Sequence, residues 1–421
     1  MIVLPKPRDN KMTLKENSKK TFNDLNLHPN ILKAIKYPEP TEIQAQAIPK
    51  VIEGLDIYAS AQTGTGKTAS FILPALNQLL KPALVKGHGP RVLILVPTRE
   101  LAIQVSEEAT KFSAFLQKTK TVCIYGGTPY PYQNKQLSLP YEILVATPGR
   151  LIDHVDRGRI NLARVEMFIL DEADRMLDMG FIQPVEQIAS LTPKTRQTLL
   201  FSATLKKGVI KLAKSLLNDP FEITVSAVQD KHENIEQQLY YLDNLSAKNQ
   251  ALDYILTNHE INQAIIFTST KRQADQLLYT LRDKGHHAAA LHGDINQKQR
   301  SRTITQVRDG QIRFLVATDV AARGIDIKSI THVINFDLPN TREDYIHRIG
   351  RTGRASAKGI ALSFVTPKDV ATLREIEQYT GHQILTQTIP GIESKPPSPA
   401  NFKSARSNFK PKRRFPAKNK Y

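Results

Sequence analysis

Ile57-Tyr58-Ala59-Ser60-Ala61-Gln62-Thr63-Gly64-Thr65-Gly66-Lys67-Thr68 is the stretch that decides the fold. A short apolar segment runs into a glycine-rich turn, which ends in Lys-Thr where a helical pattern begins. That is the context a P-loop requires. Glycines let the backbone wrap a phosphate with its N–H groups pointing inward, and a helix N-terminus adds positive potential. Ala61, Gln62, Thr63, Gly64, Thr65 and Gly66 form this cradle; Lys67 is placed to reach the β- and γ-phosphates, and Thr68 to hold Mg2+. The plainer alternative is a glycine-rich turn carrying an exposed lysine.

Beyond Lys67, the residues Ile72, Ala75, Leu76, Leu79 and Leu80 form one apolar helical stripe, with a kink expected at Pro74. Continuous apolar runs then recur at 91–97, 143–147, 166–171 and 198–204, and a second set lies at 264–270, 312–319, 332–337 and 360–366. Runs without alternation suit strands covered on both faces of a parallel sheet. Strand alternating with helix predicts an α/β fold with right-handed crossovers. The two sets meet at a polar seam near residues 219–234, so two α/β domains are expected. One run, Phe168-Ile169-Leu170, ends in the paired acids Asp171-Glu172. Acids at a strand's carboxyl end lie where open α/β sheets bind ligands. Asp171 can hold Mg2+, and Glu172 can orient and deprotonate an attacking water.

Composition narrows the partners. The 421 residues carry 58 Lys+Arg against 40 Asp+Glu, a formal net charge of +18 that marks a polyanion partner. Cys123 stands alone, so no intramolecular disulfide is possible and a reducing compartment is expected. No apolar stretch approaches the roughly 20 residues of a membrane span, and the first 20 residues lack the apolar core of a secretory signal. A cytoplasmic protein without membrane contact is expected, with Met1 or Met12 as start. From about Gly391, Pro, Ser, Asn, Lys and Arg dominate, with Phe402, Phe409, Phe415 and Tyr421 scattered among them. Such a tail should be disordered, and its basic and aromatic mixture suits loose binding of single strands; a solubilising role is the alternative. His292 and His286-His287 have no partner at metal-ligand spacing, so no zinc site is expected.

Asp171-Glu172-Ala173-Asp174, together with the elements around it, resembles the DEAD-box ATP-dependent RNA helicases over roughly residues 20–380. The resemblance implies two RecA-like P-loop domains. Their expected bounds are a flexible extension at 1–20, an ATP-binding domain at 21–226, a linker at 227–234, a C-terminal domain at 235–382 and a basic tail at 383–421. Pro40-Thr41-Glu42-Ile43-Gln44 resembles the family's adenine-reading motif, which gives Gln44 the adenine edge and Phe22 a stacking role. The stretch Ala34–Pro38 is shorter than the family's usual one and lacks its glycine. Pro97-Thr98-Arg99, Gly126-Gly127 and Thr147-Pro148-Gly149-Arg150 match its RNA-backbone motifs. Ser202-Ala203-Thr204, with Asp174 as partner, resembles the element coupling ATP state to RNA binding.

In the second half, Phe267 with Ser269-Thr270 resembles a further family motif, and Gln297 and Arg300 match a pattern contacting RNA. By the same resemblance Thr318 and Asp319 face RNA, Gly324 faces the nucleotide and Asp326 the ribose. His347-Arg348-Ile349-Gly350-Arg351-Thr352-Gly353-Arg354 makes Arg351 and Arg354 arginine fingers, with His347 and Arg348 supporting the domain interface. Such a finger is worth about 10³–10⁵ in rate in GTPases. The resemblance therefore implies ATP and Mg2+ as cofactors, RNA single strands and short duplexes as partners, and RNA-stimulated ATP hydrolysis with local unwinding. A monomer acting on ribosomal or degradation ribonucleoproteins is expected, and the short flanks resemble bacterial members. A DNA-directed helicase, a non-enzymatic ATP-gated RNA clamp and a P-loop transferase are the competing readings.

Overall fold

The computed structural model describes residues 21–61, 64–117, 119–204, 206–225, 234–322, 325, 327, 329–353 and 358–392. The chain divides into two compact units, 1–228 and 229–421. The expected extension at 1–20, nearly all of the expected linker, and the tail beyond 392 lie outside the described residues.

The first unit is built on seven parallel strands: β1 (Ile57–Ser60), β2 (Val92–Leu95), β3 (Thr121–Ile124), β4 (Ile143–Ala146), β5 (Met167–Leu170), β6 (Gln197–Ser202) and β7 (Phe221–Thr224). Their spatial order is β3-β4-β2-β5-β6-β1-β7. Strands β2, β4 and β5 are buried at every position, as their unbroken apolar runs require. Two buried clusters flank the sheet. One gathers Ile43, Phe71, Leu76, Val92 and Phe201, the other Leu93, Leu144, Phe168, Leu200 and Val209. Strand neighbours supply residues to opposite clusters because successive side chains alternate between faces.

The second unit repeats the plan with β8 (Ile235–Tyr241), β9 (Ala264–Phe267), β10 (Ala288–Leu291), β11 (Phe314–Ala317), β12 (His332–Asn335), β13 (Gly359–Val365) and β14 (Leu385–Gln387), ordered β10-β11-β9-β12-β13-β8-β14. The two orders correspond position by position. Two all-parallel sheets covered by helices are the expected RecA-like architecture.

One detail differs from the sequence reading. β14 pairs with β8 beyond residue 382, where the basic tail was expected to begin, and Ile389 is buried. The domain therefore runs to the end of the described segment at 392. Pro74 lies buried within the helix Lys67–Leu79. Among the described residues no helix is long and apolar enough to cross a membrane.

Candidate functional site

Strand order sorts the chemistry of the first unit. Loops after β1, β5 and β6 carry the P-loop, Asp171-Glu172 and Ser202–Thr204; loops after β2, β3 and β4 carry Thr98-Arg99, Gly126-Gly127 and Thr147–Arg150. All six follow carboxyl ends of one sheet, where ligands bind in open α/β folds. The two groups of loops meet between β2 and β5.

In the P-loop, Lys67 is buried and its Nζ donates to the Ala61 carbonyl at 2.8 Å. Gly66 caps the helix Lys67–Leu79 at φ 88, a left-handed conformation, and a Cβ there would sit 2.4 Å from Gln44 Nε2. Only glycine satisfies both constraints. Gln44 Nε2 donates to the Gly66 carbonyl at 3.1 Å, and its Oε1 accepts from Thr41 N at 3.0 Å. The amide keeps one donor and one acceptor for an adenine edge. Phe22 is 6% exposed and belongs to the core cluster with Leu25, Ile31 and Ile43. Gln62 and Thr63 lie outside the described residues.

Asp171 is 3% exposed, and its Oδ1 accepts from Glu172 N at 2.9 Å. Burial pushes its carboxyl up to about 6, Lys67 opposing and Glu172 adding to the shift. A desolvated carboxylate with a second acid, Glu172, beside it favours a cation there. One carboxylate and the Thr68 hydroxyl are hard oxygen donors, and Mg2+ takes few protein ligands beside water and phosphate oxygens. The residues fit that ion. Glu172 adopts φ 54, rare for a residue with a Cβ, and its Oε2 lies 3.4 Å from Arg175 Nε. Asp174 Oδ2 accepts from Thr204 Oγ1 at 3.1 Å, and Ser202 Oγ donates to the Thr204 carbonyl at 2.7 Å. The structure thus brings Asp174, Ser202 and Thr204 together.

In the second group of loops, Thr98 caps the helix Arg99–Phe112 by accepting from Leu101 N. Gly127 has φ 85, and a Cβ on it would lie 2.5 Å from Arg99 Nη1. Arg99 therefore lies against the Gly126-Gly127 loop. Arg150 donates to the Thr128 carbonyl at 2.9 Å from the other side. Thr147 and Pro148 are buried at the start of the helix Pro148–Asp156, while Gly149 is exposed. Pro97 is buried.

In the second unit a polar knot ties the carboxyl ends of the sheet. Arg348, 2% exposed, donates to both carboxylate oxygens of Asp319 at 2.6 and 2.7 Å and to Asn335 Oδ1 at 3.1 Å. Its guanidinium sits 4.7 Å from the Phe267 ring centroid. Asp337 pairs with Lys248 at 2.9 Å and accepts from Ser269 N at 2.9 Å. Arg348 and Asp319, assigned above to a domain interface and to RNA, are thus paired with each other within this unit. Arg300 Nη2 donates to the Ala321 carbonyl, joining the helix Gln297–Arg308 to the segment after Thr318. Arg351 donates to the carbonyls of His347 and Ile325. Gly324, Asp326 and Arg354 lie outside the described residues. Gln133 and Arg175, described below, carried no signal in the sequence: each is an isolated polar residue in a helical stretch.

Comparison with known proteins identifies the family. The DEAD/DEAH box helicase family matches residues 41–212, and the helicase conserved C-terminal domain matches 247–356. The ATP-dependent RNA helicase SrmB of Haemophilus influenzae is 42% identical over 389 residues, covering 91% of this chain and 88% of that protein. The chain belongs to the DEAD-box ATP-dependent RNA helicase family. The helicase DeaD of Mycobacterium tuberculosis is 45% identical over 376 residues, 89% of this DEAD-box chain, which spans 66% of that relative's length. Among solved structures, Saccharomyces cerevisiae Dbp5 bound to RNA and ADP BeF3 matches with a TM-score of 0.78 and 33% identity, over 88% of this chain and 95% of that one. Mss116p bound to single-stranded RNA and AMP-PNP matches at 0.80 and 30%, over 89% and 81%.

Proposed function

We propose that this DEAD-box protein hydrolyses ATP in response to RNA and uses the cycle to open short RNA duplexes and remodel ribonucleoproteins. One observation carries the reading. The loops after β1, β5 and β6 gather a phosphate cradle, a buried carboxylate and a strained glutamate, and the neighbouring loops after β2, β3 and β4 present Arg99, Arg150 and glycine amides. Backbone amides and arginines of that kind position a phosphodiester without reading its bases. The Asp174–Thr204 bond ties together the segments that follow β5 and β6.

Gln44 holds the adenine, Lys67 the phosphates, and Glu172 orients water. Thr68 and Asp171 would hold Mg2+, which neutralises charge building on the transferred phosphoryl group. Arg351, Arg354, Gly324 and Asp326 act on the nucleotide, the two arginines as fingers that speed hydrolysis. Arg300, Gln297 and Thr318 extend the RNA contacts. ATP and RNA each favour the same closed state, so each raises the other's affinity. A monomer acting in the cytoplasm on ribosomal or degradation ribonucleoproteins belongs to the same reading; the single Cys123 agrees with a reducing compartment.

Glu172→Gln tests the assignment. The variant should bind ATP and RNA, hydrolyse slowly and release RNA slowly while ATP is present. Rapid RNA release from it in ATP sinks the role given to Glu172. ATPase stimulation by RNA and DNA of equal length distinguishes the two nucleic acids.

A further inference from the structure

The hydrogen bonds that hold the Gly126-Gly127 loop converge on Gln133, which belongs to none of the sequence motifs. It lies in the helix Tyr130–Leu137 and is 1% exposed. Its Nε2 donates to the Tyr125 carbonyl at 2.9 Å, immediately before the two glycines. Its Oε1 accepts from Arg150 Nη1 at 3.1 Å and is 2.9 Å from His154 Nε2. Chemistry fixes the amide's orientation, because a guanidinium only donates and a carbonyl only accepts. Facing an acceptor oxygen, His154 Nε2 must carry the proton. Its Nδ1 is then a bare acceptor, and that atom is buried without a hydrogen-bond partner. A second restraint acts on the same arginine. The guanidinium carbons of Arg150 and Arg157 each lie 4.4 Å from the Tyr130 ring centroid, and Tyr130 Oη donates to Asp153 Oδ2 at 3.0 Å.

We propose that Gln133 is a positioning residue for RNA, setting the distance between the glycine amides after β3 and the Arg150 guanidinium after β4. This rests on the RNA-binding reading of the same loops. Those two devices follow different strands, and the Gln133 amide is hydrogen-bonded to the Tyr125 carbonyl, which precedes the glycines, and to the Arg150 guanidinium. An arginine already held in place loses little freedom when it meets a phosphate, so its contact contributes more to affinity. Gln133 touches no RNA itself.

The test is a double-mutant cycle of Gln133→Leu and Arg150→Ala in the full chain. The readout is affinity for a short oligouridylate with a non-hydrolysable ATP analogue. Gln133→Leu should weaken RNA binding about tenfold, the scale of a lost charge-assisted hydrogen bond. The effect should fall on KM for RNA rather than on kcat. The slope of log affinity against log salt should drop by about 0.7, one single-strand phosphate contact. In the Arg150→Ala background the same change should do little more. Gln133→Glu, which keeps the acceptor for Arg150, should recover part of the affinity, and it replaces the leucine variant if that fails to fold. Additive effects, or an equal loss in KM for ATP, overturn the proposal. A wild-type chain whose RNA affinity ignores the ATP analogue overturns the helicase reading instead.

Discussion

Arg348 and Asp319 form a two-point ion pair at 2.6 and 2.7 Å, with the Arg348 side chain 2% exposed and that of Asp319 26%. The pair joins the helix Arg342–Ile349 to the segment following β11. Removing one partner of a buried pair leaves a charge without compensation. Arg348→Ala should therefore cost about 3 kcal/mol of stability, the low end for such deletions because Asp319 keeps some solvent contact. Arg348→Lys should recover little, since an ammonium cannot span both carboxylate oxygens. Chemical denaturation checks this; a lysine variant as stable as wild type refutes the two-point geometry.

Lys67 donates to the Ala61 carbonyl, a bond that phosphate would replace. Lys67→Ala should lower RNA-stimulated ATP turnover by at least about a hundredfold, the scale of losing one preorganised charge at a reacting phosphate. Steady-state phosphate release measures it. Wild-type turnover in the variant removes the P-loop assignment.

Arg175 lies beneath the strained Glu172, 2% exposed, with Nη1 and Nη2 buried and lacking hydrogen-bond partners. Its Nε lies 3.4 Å from Glu172 Oε2, an ion-pair contact that restrains the acid. Arg175→Leu should lower single-turnover hydrolysis about tenfold, equivalent to one modest polar contact in the transition state. Nucleotide affinity should move far less. Equal losses in both quantities would assign Arg175 to folding rather than to positioning.

His154 gives the pH dependence. Burial lowers its pKa from 6.5, Arg150, Arg157 and Arg159 add to the shift, and Asp153 opposes it. With the folded pKa depressed, the unfolded chain binds the proton first as pH falls. Stability from this group is complete above about 6.5 and declines as pH falls through the folded value. His154→Gln keeps a donor toward Gln133 and cannot charge. Its melting temperature should gain on that of wild type between neutral pH and pH 5. Parallel pH profiles contradict the prediction.

Much of the site was legible because its chemistry is local. The P-loop, the strand ending in Asp171-Glu172 and the helix starts at Arg99 and Pro148 are contiguous segments, and eight buried strands announce themselves as apolar runs. The less visible strands have physical reasons. β7 and β14 are edge strands with mostly exposed residues, β8 alternates through Glu236 and Gln238, and β10 reads Ala-Ala-Ala-Leu, a composition that favours helix. The place of Phe22 in the core cluster was not legible, because an aromatic near a nucleotide motif reads alike whether it faces base or core.

By itself, the sequence determined the reactive groups, their order and the α/β class, since each follows from residues adjacent along the chain. Tertiary structure alone decided partnership: β2 lies between β4 and β5, Arg348 meets Asp319, and Gln133 joins Tyr125 to Arg150 and His154. Crossover connections bring distant segments side by side in an order that no local propensity encodes. A polar side chain then takes the partner that burial leaves it, because a buried donor without an acceptor is costly.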